Sequence, residues 1–254
     1  MHLLERKDDG SFIVTEWIGE TPRYAILSHT WGEDREEVTY KDVLNGTGQD
    51  KRGYEKLRFC GRQATTDALK YFWVDTCCID KSSSAELSEA INSMYRWYKA
   101  AAKCYVYLSD ISVDRKQFFK NSRWFTRGWT LQELIAPESV EFFSVEGERL
   151  GDKTSLLQDI HNATGISSEV LQQTKSLSQI SIEDKMSWAK ARGTKRPEDR
   201  AYCLLGLFDV HMPLIYGEGQ NNAFTRLEQE IRKSFDGMSS LKKYGYCEQT
   251  CLNV

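Results

Sequence analysis

The sequence predicts an α/β fold: a flavodoxin-like, mostly parallel sheet with flanking helices, followed by a helical C-terminal extension. Three observations carry this expectation. Short apolar runs recur four times in the first 150 residues, each the length of a buried strand. Helix-periodic segments separate them, the pattern of βαβ units joined by right-handed crossovers. Beyond residue 150 the strand-like runs stop and only helical segments follow.

Taken in order, the first run is Tyr24-Ala-Ile-Leu-Ser28, ending in the turn-rich His29-Thr-Trp-Gly-Glu-Asp34. Tyr54 to Tyr71 reads as a helix with Leu57, Cys60, Ala64 and Ala68 on one face. Phe72-Trp-Val-Asp75 is the second strand. After Ser82-Ser-Ser84, Ser83 and Glu86 stand at capping-box spacing. Leu87, Ile91, Met94 and Tyr98 then define one helical face. Cys104-Tyr-Val-Tyr-Leu-Ser109 is the third strand. A helix through Trp129–Ala136 is stopped by Pro137, and Val140-Glu-Phe-Phe143 is the fourth strand. Four further helices are expected at Leu156–Ala163, Ser181–Arg192, Glu198–Phe208 and Asn222–Phe235, with Pro197 at the first position of the third. The expected division is an α/β core over residues 1–150, a helical part over 151–236, and a tail or linker over 237–254. Lys242, Lys243 and two late cysteines break the periodicity in that last stretch.

Composition narrows the function. Lys and Arg number 34 against 37 Asp and Glu, a net charge of −3 without the basic excess of a nucleic-acid binder. The chain has no apolar run of about 18 residues, so no membrane span is expected. Met1–Gly10 turns charged at once, unlike a signal peptide, and a cytoplasmic location is expected. The seven cysteines are odd in number, form no CxxC pair and sit mostly in apolar segments. They read as buried free thiols, and no metal site is expected.

In parallel α/β sheets, ligands bind outside the carboxyl ends of the strands. Ser28-His-Thr-Trp-Gly32, Asp75-Thr-Cys-Cys-Ile-Asp-Lys81 and Ser109-Asp110 converge there, and Glu133 lies on the helix after the third strand. Glu133 sits in an otherwise apolar stretch. It reads either as a desolvated catalytic carboxylate or as a structural partner of Arg123, Arg127 or Arg200. His29 is a base or a turn cap. Cys77 and Cys78 are core packing or, with His29, a thiol nucleophile. Trp31 and Trp124 stack on a ligand ring or pack as core or lid. Asp199-Arg200 and Tyr216-Gly-Glu-Gly219 are expected to hold a turn.

These same blocks resemble a known family. Tyr24–Gly32, Trp73-Val-Asp-Thr-Cys-Cys-Ile-Asp80 and Arg127-Gly-Trp-Thr-Leu-Gln-Glu-Leu134 are similar to hallmark motifs of the fungal heterokaryon incompatibility (HET) domain. Ser187-Trp-Ala189, Glu198–Gly206 and Tyr216–Gly219 resemble its C-terminal blocks. The resemblance covers roughly residues 1–236. It is nearest to the N-terminal effectors of incompatibility proteins that continue into a NACHT module and WD repeats. It implies a cell-death effector in non-self recognition, with a NACHT/WD-repeat module as partner in cis or trans and self-association on activation.

A more distant resemblance is to TIR domains. Ile26–Asp34, Asp75, Glu86-Leu-Ser-Glu-Ala-Ile-Asn-Ser93 and Trp129-Thr-Leu-Gln-Glu-Leu134 follow the TIR order, with Trp129 and Glu133 at the TIR spacing. Thr130 replaces a cysteine, Gly128 precedes Trp129, and serines occupy the loop after Asp75. This resemblance implies a TIR-like core that hydrolyses NAD as substrate, with no cofactor. Glu133 would be the catalytic carboxylate, and Ser28, His29, Trp31, Gly32, Asp75 and Trp129 would line the substrate site. Ser28 or His29 is then expected within about 10 Å of the Glu133 carboxylate, with a tryptophan bordering the same crevice. The alternative is a non-enzymatic signalling adaptor that acts by self-association and partner recruitment.

Overall fold

The computed structural model describes residues 1–243. Seven strands, β1 (His2–Arg6), β2 (Phe12–Glu16), β3 (Tyr24–His29), β4 (Tyr71–Trp73), β5 (Lys103–Tyr107), β6 (Val140–Phe143) and β7 (Arg149–Asp152), form one sheet. Their order is β2-β1-β4-β3-β5-β6-β7. The four central strands are parallel, with Ala25 opposite both Phe72 and Lys103, and Cys104 opposite Val140. This is the arrangement expected of a flavodoxin-like sheet, and it explains the apolar runs, since β3 is buried along its whole length.

The edges are antiparallel and were not apparent from the sequence. β1 pairs with β2 and β4, and β7 pairs with β6. The β1–β2 hairpin turns at Asp9-Gly10, where Gly10 takes a φ of 83°. The edge strands β2 and β7 carry polar and charged residues such as Thr15, Glu16, Arg149 and Asp152, which break their apolar runs.

Helices α1 (Tyr40–Asn45), α2 (Tyr54–Thr66), α3 (Ser84–Ala100) and α4 (Thr130–Ile135) accompany the sheet. α2 is shorter than its periodicity suggests. Leu57, Cys60 and Ala64 are buried, but Ala68 is exposed in the left-handed region (φ 56°) because the chain must turn there to enter β4, which takes Tyr71. Ser83 caps α3 by accepting from the Glu86 amide, 3.3 Å. The Glu86 carboxylate does not complete the box; it accepts from the Asp80 amide (2.8 Å) and meets His2 at 3.0 Å. Ile91, Met94 and Tyr98 are buried as the helical face requires, with Leu87 packed against them at the margin.

The later helices are α5 (Leu157–Thr164), α6 (Ser168–Leu171), α7 (Ile182–Lys190), α8 (Asp199–Tyr202), α9 (Leu205–Phe208) and α10 (Gln220–Lys243). The expected helix over 198–208 is split into α8 and α9. Pro197 therefore precedes the Glu198 cap instead of opening the helix. α9 lies so close to α3 that a Cβ on Gly206 would stand 2.0 Å from the Tyr95 Cβ. A parallel bridge between Arg127 and Gly193 ties the later helices to the entrance of α4. The rest of the expected tail, residues 244–254 with Cys247 and Cys251, lies outside the described residues. Among the described residues, no helix is long and apolar enough to cross a membrane.

Candidate functional site

A cavity of about 640 Å³ opens at the carboxyl edge of the parallel strands. β3 delivers His29 to it, the segment after β4 delivers Asp75, and α4 delivers Glu133 and Thr130. Glu133 is 5% exposed. Its Oε2 accepts a short hydrogen bond from the Ser28 hydroxyl, which in turn accepts from Trp124 Nε1 at 2.8 Å. Trp124 is fixed edge-on against Phe125 and Phe142. Burial pushes the Glu133 carboxyl up to about 8; nearby Asp75 adds to this, while Ser28 and Arg192 oppose it.

Asp75 shows the opposite behaviour in the same cavity. Burial alone would raise it. Hydrogen bonds from His29 Nε2 (2.9 Å) and Trp31 Nε1 (2.7 Å), with the charge of Lys81, instead hold it down to about 2. The His29 tautomer follows from its other neighbour. Lys56 Nζ has only donors to offer and lies 3.1 Å from Nδ1, so Nδ1 accepts and Nε2 carries the hydrogen given to Asp75. Lys56 also donates to Glu37 Oε1 (2.5 Å) and to the Thr30 carbonyl (3.1 Å). The Gly32 amide closes the loop on Glu37 at 2.6 Å.

Five of the seven residues singled out from the sequence line the cavity, and the other two stand beside it. His29, Trp31, Asp75, Trp129 and Glu133 line the cavity. Ser28 is fully buried behind Glu133, because β3 is covered on both faces, and it positions the carboxyl without reaching the cavity. Gly32 is exposed on an adjoining pocket and contributes its amide to Glu37. Trp124 is core. Arg123 is engaged elsewhere, donating to Thr30 Oγ1 (2.9 Å) and the Trp31 carbonyl (2.8 Å). The cation beside Glu133 is Arg192, buried and bonded to Thr130 Oγ1 (2.9 Å) and the Arg127 carbonyl (3.0 Å).

The thiol alternative is overturned. Cys77 and Cys78 are buried, Cys77 donates to the Val38 carbonyl at 3.1 Å, and burial pushes its thiol up to about 12.

Other residues of the candidate site were missed. Lys56 and Glu37 escaped notice, although Lys56, four residues before buried Cys60, adjoins the apolar face of α2. Lys195, Arg196, Asp199 and Tyr216 come from the C-terminal part and complete the cavity wall. The Asp199 and Tyr216 segments do hold a turn, since Glu198 accepts from the Gly217 and Gly219 amides. They also present Asp199 to the cavity, its Oδ1 accepting from Tyr216 at 3.0 Å.

Two carboxyls on one cavity whose acidities are driven apart, Glu133 upward and Asp75 downward, are suited to chemistry in which one group meets developing positive charge and the other orients the substrate. The indoles of Trp31 and Trp129 supply walls for a planar ring, with Lys81 Nζ 3.8 Å from the Trp31 ring centre.

The family model described as Heterokaryon incompatibility protein (HET) matches residues 24–120, a segment that includes Ser28, His29, Trp31 and Asp75 and ends before Glu133. The chain is 55% identical, over 95% of its length, to the Vegetative incompatibility protein HET-E-1 of Podospora anserina, and it spans 19% of that relative. No solved structure matches. With the motif blocks, the matched segment and this relative in agreement, the chain carries a heterokaryon incompatibility (HET) domain.

Proposed function

We propose that this HET domain is the cell-death effector of a fungal non-self recognition protein and that it acts by hydrolysing NAD. The observation that carries the reading is Glu133: a desolvated carboxyl, aimed by Ser28, on an indole-walled cavity at the carboxyl edge of a parallel sheet. In the reaction the bond between the ribose anomeric carbon and the pyridinium nitrogen breaks. Its electron pair leaves with the nitrogen, so nicotinamide departs neutral and needs no strong acid. The anomeric carbon becomes oxocarbenium-like, as in glycoside hydrolysis. Water adds to it and loses a proton, giving ADP-ribose.

Ionised Glu133 stabilises the developing cation, and its low-dielectric setting strengthens that interaction. The raised Glu133 pKa is compatible with this role. A cationic pyridinium ring in the cavity favours the ionised form by the same Coulombic effect through which Asp75 disfavours it. Asp75, ionised and fixed by His29 and Trp31, orients the ribose hydroxyls, and the proton shed by the water passes to solvent. Control by clustering, through a NACHT/WD-repeat module joined to the domain and through self-association, belongs to the same proposal.

The test is incubation of purified protein with NAD while nicotinamide release is followed, alone and under forced clustering, beside Glu133→Ala. Release by the parent and its loss in the variant are expected. No release in any assembly state, with toxicity retained in Glu133→Ala, leaves the non-enzymatic adaptor as the function.

A further inference from the structure

The cavity before Glu133 runs on into a second pocket of about 620 Å³. Thr30, Trp31, Asp34, Arg127 and Lys195 line both, so the two form one groove. The charge changes along it. The large cavity has six carboxyl side chains against five cations, whereas the second pocket has Arg35, Arg123, Arg127 and Lys195 against Glu33 and Asp34.

The four cations are not equally committed. Arg123 is spent on Thr30 and Trp31. Lys195 pairs with Asp34 across the groove, but both are more than half exposed, and such a pair exchanges readily for a stronger anion. The Arg35 and Arg127 side chains have no hydrogen bond or ion pair among the described residues, although Arg127 is half-buried at the junction of the two pockets. An uncommitted guanidinium beside a groove is the geometry for bidentate phosphate binding.

We propose that the second pocket is a diphosphate subsite. Arg127 and Arg35 hold the phosphates of a pyridine dinucleotide while its cationic ring lies toward Glu133 and Asp75, and Lys195 leaves Asp34 for the phosphate. The identity of the ring rests on the NAD reading above; the binding of phosphate does not. The subsite makes the groove selective for a ligand that is anionic at one end and cationic at the other.

The test is calorimetric titration of the domain with ADP-ribose and with inorganic pyrophosphate, for the parent, Arg127→Gln and Arg35→Gln. Arg35 sits on an exposed turn, so its variant guards against misfolding of the other. Expected are measurable ADP-ribose binding by the parent, competition by pyrophosphate, and a loss of about tenfold or more in each variant. Equal binding by all three proteins, or no binding by the parent, overturns the subsite. ADP-ribose binding that needs Arg127, in a protein that releases no nicotinamide, removes the hydrolase reading and keeps the subsite. Nicotinamide release with ADP-ribose binding indifferent to both arginines removes the subsite alone.

Discussion

Replacing Glu133 by Gln should reshape the dependence of stability on pH. An ordinary glutamate carboxyl titrates near 4.5, and burial pushes this one up to about 8. The folded chain thus holds the Glu133 proton more tightly than the unfolded chain does. The stabilisation linked to that proton is full below the unfolded value and is lost as pH rises through 8. At about 1.36 kcal/mol per pH unit, the loss reaches about 3 kcal/mol at pH 7 and about 5 kcal/mol above pH 8. Glutamine keeps the shape and an acceptor for Ser28 but does not titrate. The variant should therefore match the parent near pH 5 and exceed it by several kcal/mol at pH 9. Asp75, held at about 2, titrates below this window and does not blur it. Urea denaturation of both proteins at pH 5, 7 and 9 measures the gap directly. Parallel curves, with the gap constant across pH, would refute the account of Glu133 as a desolvated acid.

If the ionised form is the working one, kcat/KM for nicotinamide release should climb with pH to a midpoint near 8 set by the free protein, and a flat profile contradicts it. Ser28→Ala strips Trp124 Nε1 of its acceptor and Glu133 of its donor. It should cost about 1–3 kcal/mol in urea denaturation and move the Glu133 midpoint higher still. Lys56→Met leaves the Glu37 carboxylate buried without its cation, a loss of about 3–5 kcal/mol. Adding Glu37→Gln should recover much of that loss, as read from unfolding midpoints. Gly206→Ala forces a methyl into Tyr95 and should lower Tm by the equivalent of about 1–3 kcal/mol through loosened α9–α3 packing.

The central strands were legible because burial on both faces leaves little room for polar residues, and right-handed crossovers then constrain their order. β2 and β7 were not, since an edge strand needs only a few apolar contacts and is otherwise written in polar and charged residues; nor was β1, whose apolar run is only Leu3-Leu4 between charged or polar residues. Glu133 stood out by contrast with its apolar neighbours. Lys56 and Glu37 did not, because an ion pair 19 residues apart reads like two solvated charges until α2 closes on the loop. Ser28 was recognisable as a site residue but not as one facing away from the cavity; which side of a fully covered strand meets a ligand depends on what packs there. Asp199 and Tyr216 were legible as a turn and illegible as a wall, for the wall exists only once the later helices dock.

That docking has a consequence for solvent access. The Arg127–Gly193 bridge joins the backbone leading into α4 to the segment that carries Lys195, Arg196 and Asp199 to the cavity. The dryness around Glu133 is thus supplied in part from some sixty residues downstream. Displacing the later helices, without touching either carboxyl, would change how much water reaches them. Lifting that wall would wet Glu133 and return its carboxyl toward an ordinary glutamate, with Ser28 and Asp75 still in place.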